Sequence, residues 1–309
     1  MSLTLVTVLF DLPKRNPECR RTMEWLIENG LKVLELKHPM VIFTEKHLVG
    51  RLLHERAIRD LFHQTHVVIM DFEELPHYRE WKSQEETIHL IENRGSKDRL
   101  DNFMINWEKP GLIARVAKDN PFGTTHVGWI NLGIQNVKVF NEEGWEDALD
   151  PTDKVRIHQQ RYLHLIVGYP QFYRWGWCST AGGFLAGSVE RIIEFADDFY
   201  REFERAMSMG FAPGDEDVNA TLLIRNPEKY TVSYGDYGQM FCNAKRLRRG
   251  GGTLWWQYGK SLYWMIGEAL AHGNRKWAAN LWHLIMDSAR DGYFKDDTSP
   301  IEHFGAIFR

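Results

Sequence analysis

The sequence predicts an α/β protein with a mostly parallel sheet flanked by helices and a C-terminal helical extension. Short apolar segments at residues 3–10, 41–43 and 66–70 resemble buried strands in length and in β-branched content. Segments 16–30 and 45–62 lie between them and show helical spacing. Strands that alternate with helices usually form a parallel sheet that is covered on both faces. Ligands then bind beyond the carboxyl ends of the strands, near a switch point in strand order.

The rest of the chain continues this alternation and then becomes helical. Segment 189–209 is the clearest amphipathic helix, because Ile192, Phe195, Phe199 and Phe203 recur on one face. Further helices are predicted at 82–94, 107–117, 217–225, 255–272 and 276–291. A strand is predicted at 125–130, and segment 155–167 also favours a strand. We expect one α/β domain that carries the last two helices as its extension.

Composition and charge exclude several functional classes. The formal net charge of −4 over 309 residues argues against nucleic-acid binding through bulk electrostatics. The three cysteines lie far apart without a CxxC pair, which favours a reducing compartment and indicates no zinc site. Segment 3–10 lacks the basic flank of a signal peptide, and no segment approaches the roughly 20 apolar residues of a membrane span. We therefore expect a cytoplasmic protein.

The segment from Thr180 to Asn219 is the most informative part of the chain. It contains AGGFLAGS, predicted as a loop, then a helix, then GFAPGDEDVNA. Glycines lack a Cβ and let a ligand approach the backbone closely. Asp215, Glu216 and Asp217 place three carboxylates at the start of another helix. This pattern indicates a site for a polar substrate, with a tight turn and dipole-favoured helix-start acids as the structural alternative.

Two further motifs carry charges that a nucleotide would use. Asp11 directly follows the first predicted strand, and Lys14 and Arg15 follow it. The acid would hold a base or a ribose hydroxyl and the basic pair would meet phosphate, although Asp-Leu-Pro is also an ordinary turn sequence. Segment 245–249, KRLRR, is either a solvated loop or a second phosphate-binding element.

Taken in order, four sequence elements resemble the HtrL/YibB-type family of glycosyltransferase-like proteins. They are VTVLFD, NWEKPGLIARVAKDNPF, WINLG and GGFLAG followed by GDED, and they span residues 3–237. The resemblance implies a GT-A-like fold, with a nucleotide-binding α/β sheet and an acceptor half. We accordingly predict a transferase domain at 1–245, divided into a donor half at 1–135 and an acceptor half at 136–245. Residues 246–309 would form the helical extension, packed on the same domain.

The resemblance also implies roles for individual residues. Donor-binding positions would be Thr7, Phe10, Asp11, Lys14, Arg15, Lys109, Asn131 and Gly133. Acceptor- or sugar-binding positions would be Gly182, Gly183, Phe184, Trp175 and Trp177, because tryptophan faces stack on sugar rings. The acidic pair Asp215 and Glu216 would bind acceptor hydroxyls or act as the general base.

The chain departs from the family pattern at one position. The family pattern resembles Trp-Ile-Asp-x-Gly, whereas this chain has asparagine at position 131, a degenerate metal position whose neutral amide oxygen would ligate a cation only weakly. A divalent cation, Mn²⁺ or Mg²⁺, would then be held by other carboxylates, for example Asp71 and Glu73. Alternatively, the enzyme is metal-independent and basic residues neutralise the diphosphate. As a third possibility, this copy has lost transferase activity.

These observations favour one function and leave one alternative open. The protein would move a sugar from a nucleotide-diphosphate sugar to a hydroxyl of a glycan or related acceptor. Asp215 would be the base that takes the hydroxyl proton, with Glu216 as the second choice. The alternative is a nucleotide- or carbohydrate-binding protein without catalysis, on a degenerate transferase scaffold.

Overall fold

The computed structural model describes residues 2–15, 21–85, 89–90, 100–136, 153–163, 170–175, 179–235, 240 and 252–290. The strands within these ranges are β1 (Leu3–Leu9), β2 (Met40–Thr44), β3 (Thr65–Ile69), β4 (His89–Leu90), β5 (His126–Ile130), β6 (Val155–Gln159), β7 (Thr180–Ser188), β8 (Phe211–Ala212) and β9 (Tyr230–Tyr234). The helices are α1 (Leu12–Arg15), α2 (Met23–Glu28), α3 (Leu31–Leu34), α4 (Val49–Ala57), α5 (Tyr78–Ser83), α6 (Leu100–Asp119), α7 (Pro170–Trp175), α8 (Val189–Ser208), α9 (Asp215–Arg225), α10 (Gly252–Ala271) and α11 (Arg275–Arg290).

Seven strands form one sheet in the order β3-β2-β1-β5-β7-β6-β9. The pairs β1–β2, β2–β3, β1–β5 and β6–β9 are parallel, and only β7 runs antiparallel to its neighbours β5 and β6. The prediction of an α/β protein with a mostly parallel sheet is therefore confirmed. The chain moves outward from β1 through β2 to β3 and returns to β5 on the other side of β1. The switch point in strand order thus lies between β1 and β5.

Helices cover both faces of this sheet. On one face α6 and α8 pack against alternate strand residues, and the core there includes Val6, Trp107, Trp129 and Phe199. On the other face α2, α3 and α4 cover Leu5, Ile42 and their neighbours. The amphipathic α8 begins where Ser188 accepts a hydrogen bond from the Arg191 backbone N–H at 3.4 Å, which satisfies one exposed helix donor. Strands β1, β2 and β5 are therefore buried on both faces, whereas the edge strand β3 is partly exposed.

The structure corrects two elements of the prediction. The AGGFLAGS segment is not a loop but the main part of the nine-residue strand β7, buried from Thr180 to Gly187. Gly182 and Gly187 are small because neighbouring groups occupy the space that a side chain would need, and a small-residue strand resembles a loop in sequence. Segment 82–94 is not one helix, since α5 ends at Ser83 and residues His89–Leu90 pair with β8.

The last two helices form an antiparallel pair with its own apolar core. Leu262, Met265, Ile266 and Ile285 are buried between them. Tyr162, which follows β6, anchors this pair because its backbone N–H donates to Glu268 at 3.2 Å. The predicted helices are confirmed, whereas the domain boundary at residue 245 stays a prediction. Within the described residues, no helix has both the length and the apolarity needed to cross a membrane.

Candidate functional site

Polar residues collect where the parallel strands end. Asp11 and Glu45 come just after β1 and β2, and Asn131 follows β5 directly. Since carboxyl ends of parallel strands share one edge of a sheet, these residues lie along one edge and flank the switch point. Two groups of side chains can be distinguished there, one beside β1 and one beside β5.

The β1-side cluster consists of Asp11, Lys14, Arg15, Glu45 and His47. Asp11 accepts a hydrogen bond from the Lys14 backbone N–H at 3.1 Å and lies 3.3 Å from His47 Nε2. The backbone N–H of Asp11 donates to Glu45 at 2.7 Å, which fixes the loop to the end of β2. Asp11 is half-buried, and the Lys14 side chain is exposed. The cluster thus presents an oriented carboxylate and an accessible ammonium to solvent.

Arg15 is held in an ion pair with Glu73. Its Nη2 lies 2.7 Å from the Glu73 carboxylate and 3.9 Å from Glu45, and its guanidinium stacks over the Phe72 ring at 4.4 Å. Burial opposes ionisation of Glu73, but the hydrogen bond and charge of Arg15 outweigh it and lower the pKa of that carboxyl. Asp71 caps the short turn Phe72–Glu74. Both acids suggested as alternative metal ligands therefore have structural partners.

The β5-side group centres on a buried ion pair. Lys109 in α6 donates to Asp215, the first residue of α9, at 2.7 Å and to the Gly182 carbonyl at 3.0 Å. Its ammonium lies 5.6 Å from the centroid of the Trp129 ring. Both charged side chains are buried. Lys109 therefore orients the carboxylate of Asp215 and joins α6, β7 and α9.

Gly182 is small because Asp215 occupies the space of a side chain. A Cβ at position 182 would lie only 2.4 Å from Asp215 Oδ2 and 3.1 Å from Cγ. The neighbouring Glu216 accepts a hydrogen bond from the Gly182 backbone N–H at 3.2 Å, and its own carbonyl accepts one from Thr180 at 2.7 Å. Glu216 is half-buried, so it is the more accessible of the two predicted catalytic acids.

Asn131 is fixed at the end of β5 by two hydrogen bonds. Its backbone N–H donates to the Gly183 carbonyl at 2.9 Å, and its Oδ1 accepts from Trp129 Nε1 at 2.6 Å. The strand period of two places Trp129 and Asn131 on the same face, which brings the indole to the amide. Gly133 lies in the 3₁₀ turn Leu132–Asn136 that follows.

Several predicted site residues lie elsewhere. Thr7 is in the middle of β1 and fully buried, and Phe10 packs edge-to-face on Phe72 in the core. Phe184 is buried in the core on the opposite face from Lys109. Trp175 is the last residue of α7. Its side chain, Trp177 and the basic segment 245–249 lie outside the described part of the chain. The roles given to these residues stay predictions.

Sequence reasoning did not identify three residues that shape this edge. Glu45 and His47 hold the Asp11 loop, and Trp129 orients Asn131. Signals for them exist in the chain. Glu45 directly follows a strand, as Asn131 does, and Trp129 stands two residues before Asn131 on a strand. Glu108 beside Lys109 is also fully buried and accepts a hydrogen bond from the His77 backbone N–H at 2.7 Å.

Comparisons with known proteins give a family and a likeness to solved structures. The chain is similar in structure to mouse xyloside xylosyltransferase 1 in its apo form, with a TM-score of 0.40 and 12% sequence identity. That similarity covers 75% of this chain and 85% of the mouse chain. No curated protein matches the sequence. The family described as "Bacterial protein of unknown function (HtrL_YibB)" matches residues 1–245, and the chain belongs to this family.

Proposed function

We propose that this protein is a glycosyltransferase that moves a sugar from a nucleotide-diphosphate sugar to a hydroxyl of a glycan or related acceptor. The observation that carries the proposal is the position of two polar groups on either side of the switch point between β1 and β5. A crevice at such a point is where α/β sheets hold nucleotides. The resemblance of the ordered sequence motifs to a glycosyltransferase-like family supports the same class.

On the donor side, the β1-side cluster would bind the nucleotide. Asp11 is oriented by the Lys14 backbone N–H and by His47, and would accept hydrogen bonds from ribose or base. The exposed Lys14 would approach the diphosphate, whereas Arg15 would first have to release Glu73. Charge-assisted hydrogen bonds to phosphate are about twice as strong as neutral ones, so one free lysine contributes measurably.

On the acceptor side, the acidic pair would supply the base. The acceptor hydroxyl would lose its proton to a carboxylate as its oxygen bonds to the anomeric carbon. The bond from that carbon to the diphosphate breaks, and the nucleoside diphosphate leaves with the electron pair. Asp215 is our first candidate because Lys109 and the start of α9 fix its direction, and Glu216 is the second because it is more accessible.

Nucleotide binding would test the donor half of the proposal. Thermal unfolding is measured with UDP, GDP, dTDP and CMP, each with and without Mn²⁺. Binding to the native state stabilises it by about 2.7 kcal/mol at a concentration 100-fold above Kd. One nucleoside diphosphate should raise the melting temperature, and Asp11→Ala should abolish that rise. A flat response across the whole panel would contradict the proposal.

Replacing Asp215 would test the acceptor half. A well-placed base contributes on the order of 100- to 10,000-fold in rate. Asp215→Asn should therefore remove most turnover of the nucleotide sugar while the melting-temperature rise with nucleotide persists. Glu216→Gln is the matched control, and a larger loss in that variant would transfer the role to Glu216. Unchanged turnover in both variants would refute this assignment.

A non-catalytic binding protein is the second candidate, and one observation favours it. Asp215 already has a cationic partner in Lys109, an arrangement that a purely structural pair would also show. Slow hydrolysis of the donor separates the two candidates, since transferases release some sugar to water and a binding protein does not. Binding of a nucleotide without any hydrolysis would favour this second function.

A further inference from the structure

We infer that the strand-end position at Asn131 binds an anionic oxygen through its amide nitrogen and does not hold a divalent cation. The inference rests on the proposed function, because the anion would be the diphosphate of the nucleotide sugar. The sequence leaves a choice open at this position, because asparagine is compatible both with a weak cation ligand and with a metal-independent site. The inference decides for the metal-independent site.

The direction of the Asn131 amide group is fixed by its neighbours. Trp129 Nε1 lies 2.6 Å from Asn131 Oδ1. An indole N–H can only donate, so the amide atom that it meets must be the oxygen and the flip of the side chain is determined. The backbone bond to Gly183 fixes the residue at its other end. Asn131 is half-buried, and its Nδ2 has no hydrogen-bond partner among the described residues.

A divalent cation fits poorly at this strand end. Mg²⁺ and Mn²⁺ prefer carboxylate and carbonyl oxygens, whereas the available amide atom here is a nitrogen with two N–H donors. The carboxylate of Asp215 is already bound to Lys109, whose positive charge lies 5.6 Å from the Trp129 ring centroid. Within the described ranges, no three His, Cys, Asp or Glu side chains form a metal-binding group.

An anion fits well at this strand end. An outward-facing amide N–H₂ offers donors to phosphate oxygens, as other polar groups at strand ends do. Lys14 follows β1, the neighbouring strand, and its side chain is exposed with no ion pair in the part of the chain that the structure describes. One neutral donor and one ammonium would thus approach a diphosphate from two adjacent strand ends.

The test measures Mn²⁺ directly, without nucleotide or sugar transfer. Free Mn²⁺ is titrated by electron paramagnetic resonance against wild type, Asn131→Asp and Asn131→Leu. Wild type should leave Mn²⁺ free up to millimolar concentrations. In Asn131→Asp, Trp129 would hold one carboxylate oxygen and the other would face outward. That variant should bind Mn²⁺ on the order of tenfold more tightly, because ligand charge tunes affinity for such ions.

A second measurement uses inorganic pyrophosphate as the anion. Its binding to wild type should be the same in EDTA and in Mn²⁺, and Asn131→Leu should weaken it by about 2- to 10-fold, as expected for one lost hydrogen bond. Stoichiometric Mn²⁺ binding by wild type that disappears in Asn131→Leu would overturn the inference. No gain in Asn131→Asp, with an unchanged melting curve, would also overturn it. An absence of sugar transfer would contradict the proposed function, whereas the Mn²⁺ and pyrophosphate measurements would still decide this inference, because neither depends on transfer.

Discussion

Replacing Gly182 with alanine should destabilise the protein by forcing Asp215 away from Lys109. The added Cβ would lie 2.4 Å from Asp215 Oδ2 and 3.2 Å from Oδ1, whereas ordinary contacts begin near 3.4 Å. The carboxylate must therefore move by about 1 Å, and its 2.7 Å bond to Lys109 lengthens or breaks. Overpacking of a core costs about 1–3 kcal/mol. Loss of one partner from a buried ion pair costs about 3–5 kcal/mol, which sets the upper limit.

The assay is urea denaturation followed by tryptophan fluorescence, since Trp129 lies against the Lys109 ammonium. Gly50→Ala is the matched control, because the same change there meets nothing within 4 Å in the helix α4. That control should be neutral or slightly stabilising, by up to about 1 kcal/mol from helix propensity. Gly182→Ala should instead lower the urea midpoint clearly.

A double-mutant cycle identifies the cause of the loss. Asp215→Ala removes the atom that the new Cβ would meet, so the double variant should lose less stability than the sum of the two single variants. The expected coupling is on the order of 1–3 kcal/mol. Strict additivity, or a Gly182→Ala variant within about 0.5 kcal/mol of wild type, would refute the steric reasoning, since changes of that size are usual for surface sites.

Two more predictions concern the frame around the site. Arg56→Met should lower the free energy of unfolding by at least about 3 kcal/mol, because the buried guanidinium donates hydrogen bonds to the Leu34 and Leu36 carbonyls at 2.9 and 2.7 Å. The control is Arg51→Met in the same helix, where the side chain is 58% exposed and the loss should stay under about 1 kcal/mol by urea denaturation. Equal losses in the two variants would contradict this account. The hydrogen bond from His77 to buried Glu108, opposed by burial and aided by the charges of Glu108, Glu80 and Glu204, raises the pKa of His77. The stabilisation from protonated His77 is complete below the unfolded pKa of about 6.5 and disappears as pH rises through the higher folded pKa. The difference in melting temperature between wild type and His77→Gln should therefore shrink from pH 6 to pH 9. A difference that grows over this range would exclude the interaction.

The parallel half of the fold could be predicted from the sequence because each of its strands is a short apolar run. Segments 3–10, 41–43 and 66–70 correspond to β1, β2 and β3, and segment 125–130 corresponds to β5. Strand β7 could not be predicted in the same way. Asp215 leaves no room for a side chain at Gly182, and Lys154 and Val155 leave little room for one at Gly187. These neighbours are distant in sequence, so the reason for the small residues is not visible in the strand itself.

The positions of the candidate site residues in the fold were partly predictable from the sequence, and their mutual contacts were less so. Asp11, Asn131 and the Asp215–Glu216 pair all lie at strand or helix ends, as their sequence context indicated. Pairings over long sequence separations were not visible, for example the pair of Lys109 with Asp215. The burial of Thr7 was not visible either, because one continuous segment contains both the core residues of β1 and the loop that follows, and only the strand length divides them.

The buried ion pair links the stability of this fold to its proposed activity. Hydrophobic residues of similar volume would often be neutral or stabilising in place of a buried ion pair, so stability alone does not explain why Lys109 and Asp215 are present. What the pair does provide is orientation, since Lys109 joins the Gly182 carbonyl, the Trp129 face and the first residue of α9 at one point. That point lies next to Asn131, through the Gly183 carbonyl. A carboxylate fixed in direction beside a strand end is what transfer to a hydroxyl requires, because a general base works only within hydrogen-bond reach of its proton. The glycine that gives Asp215 its space is therefore as much a part of the candidate site as the acid itself.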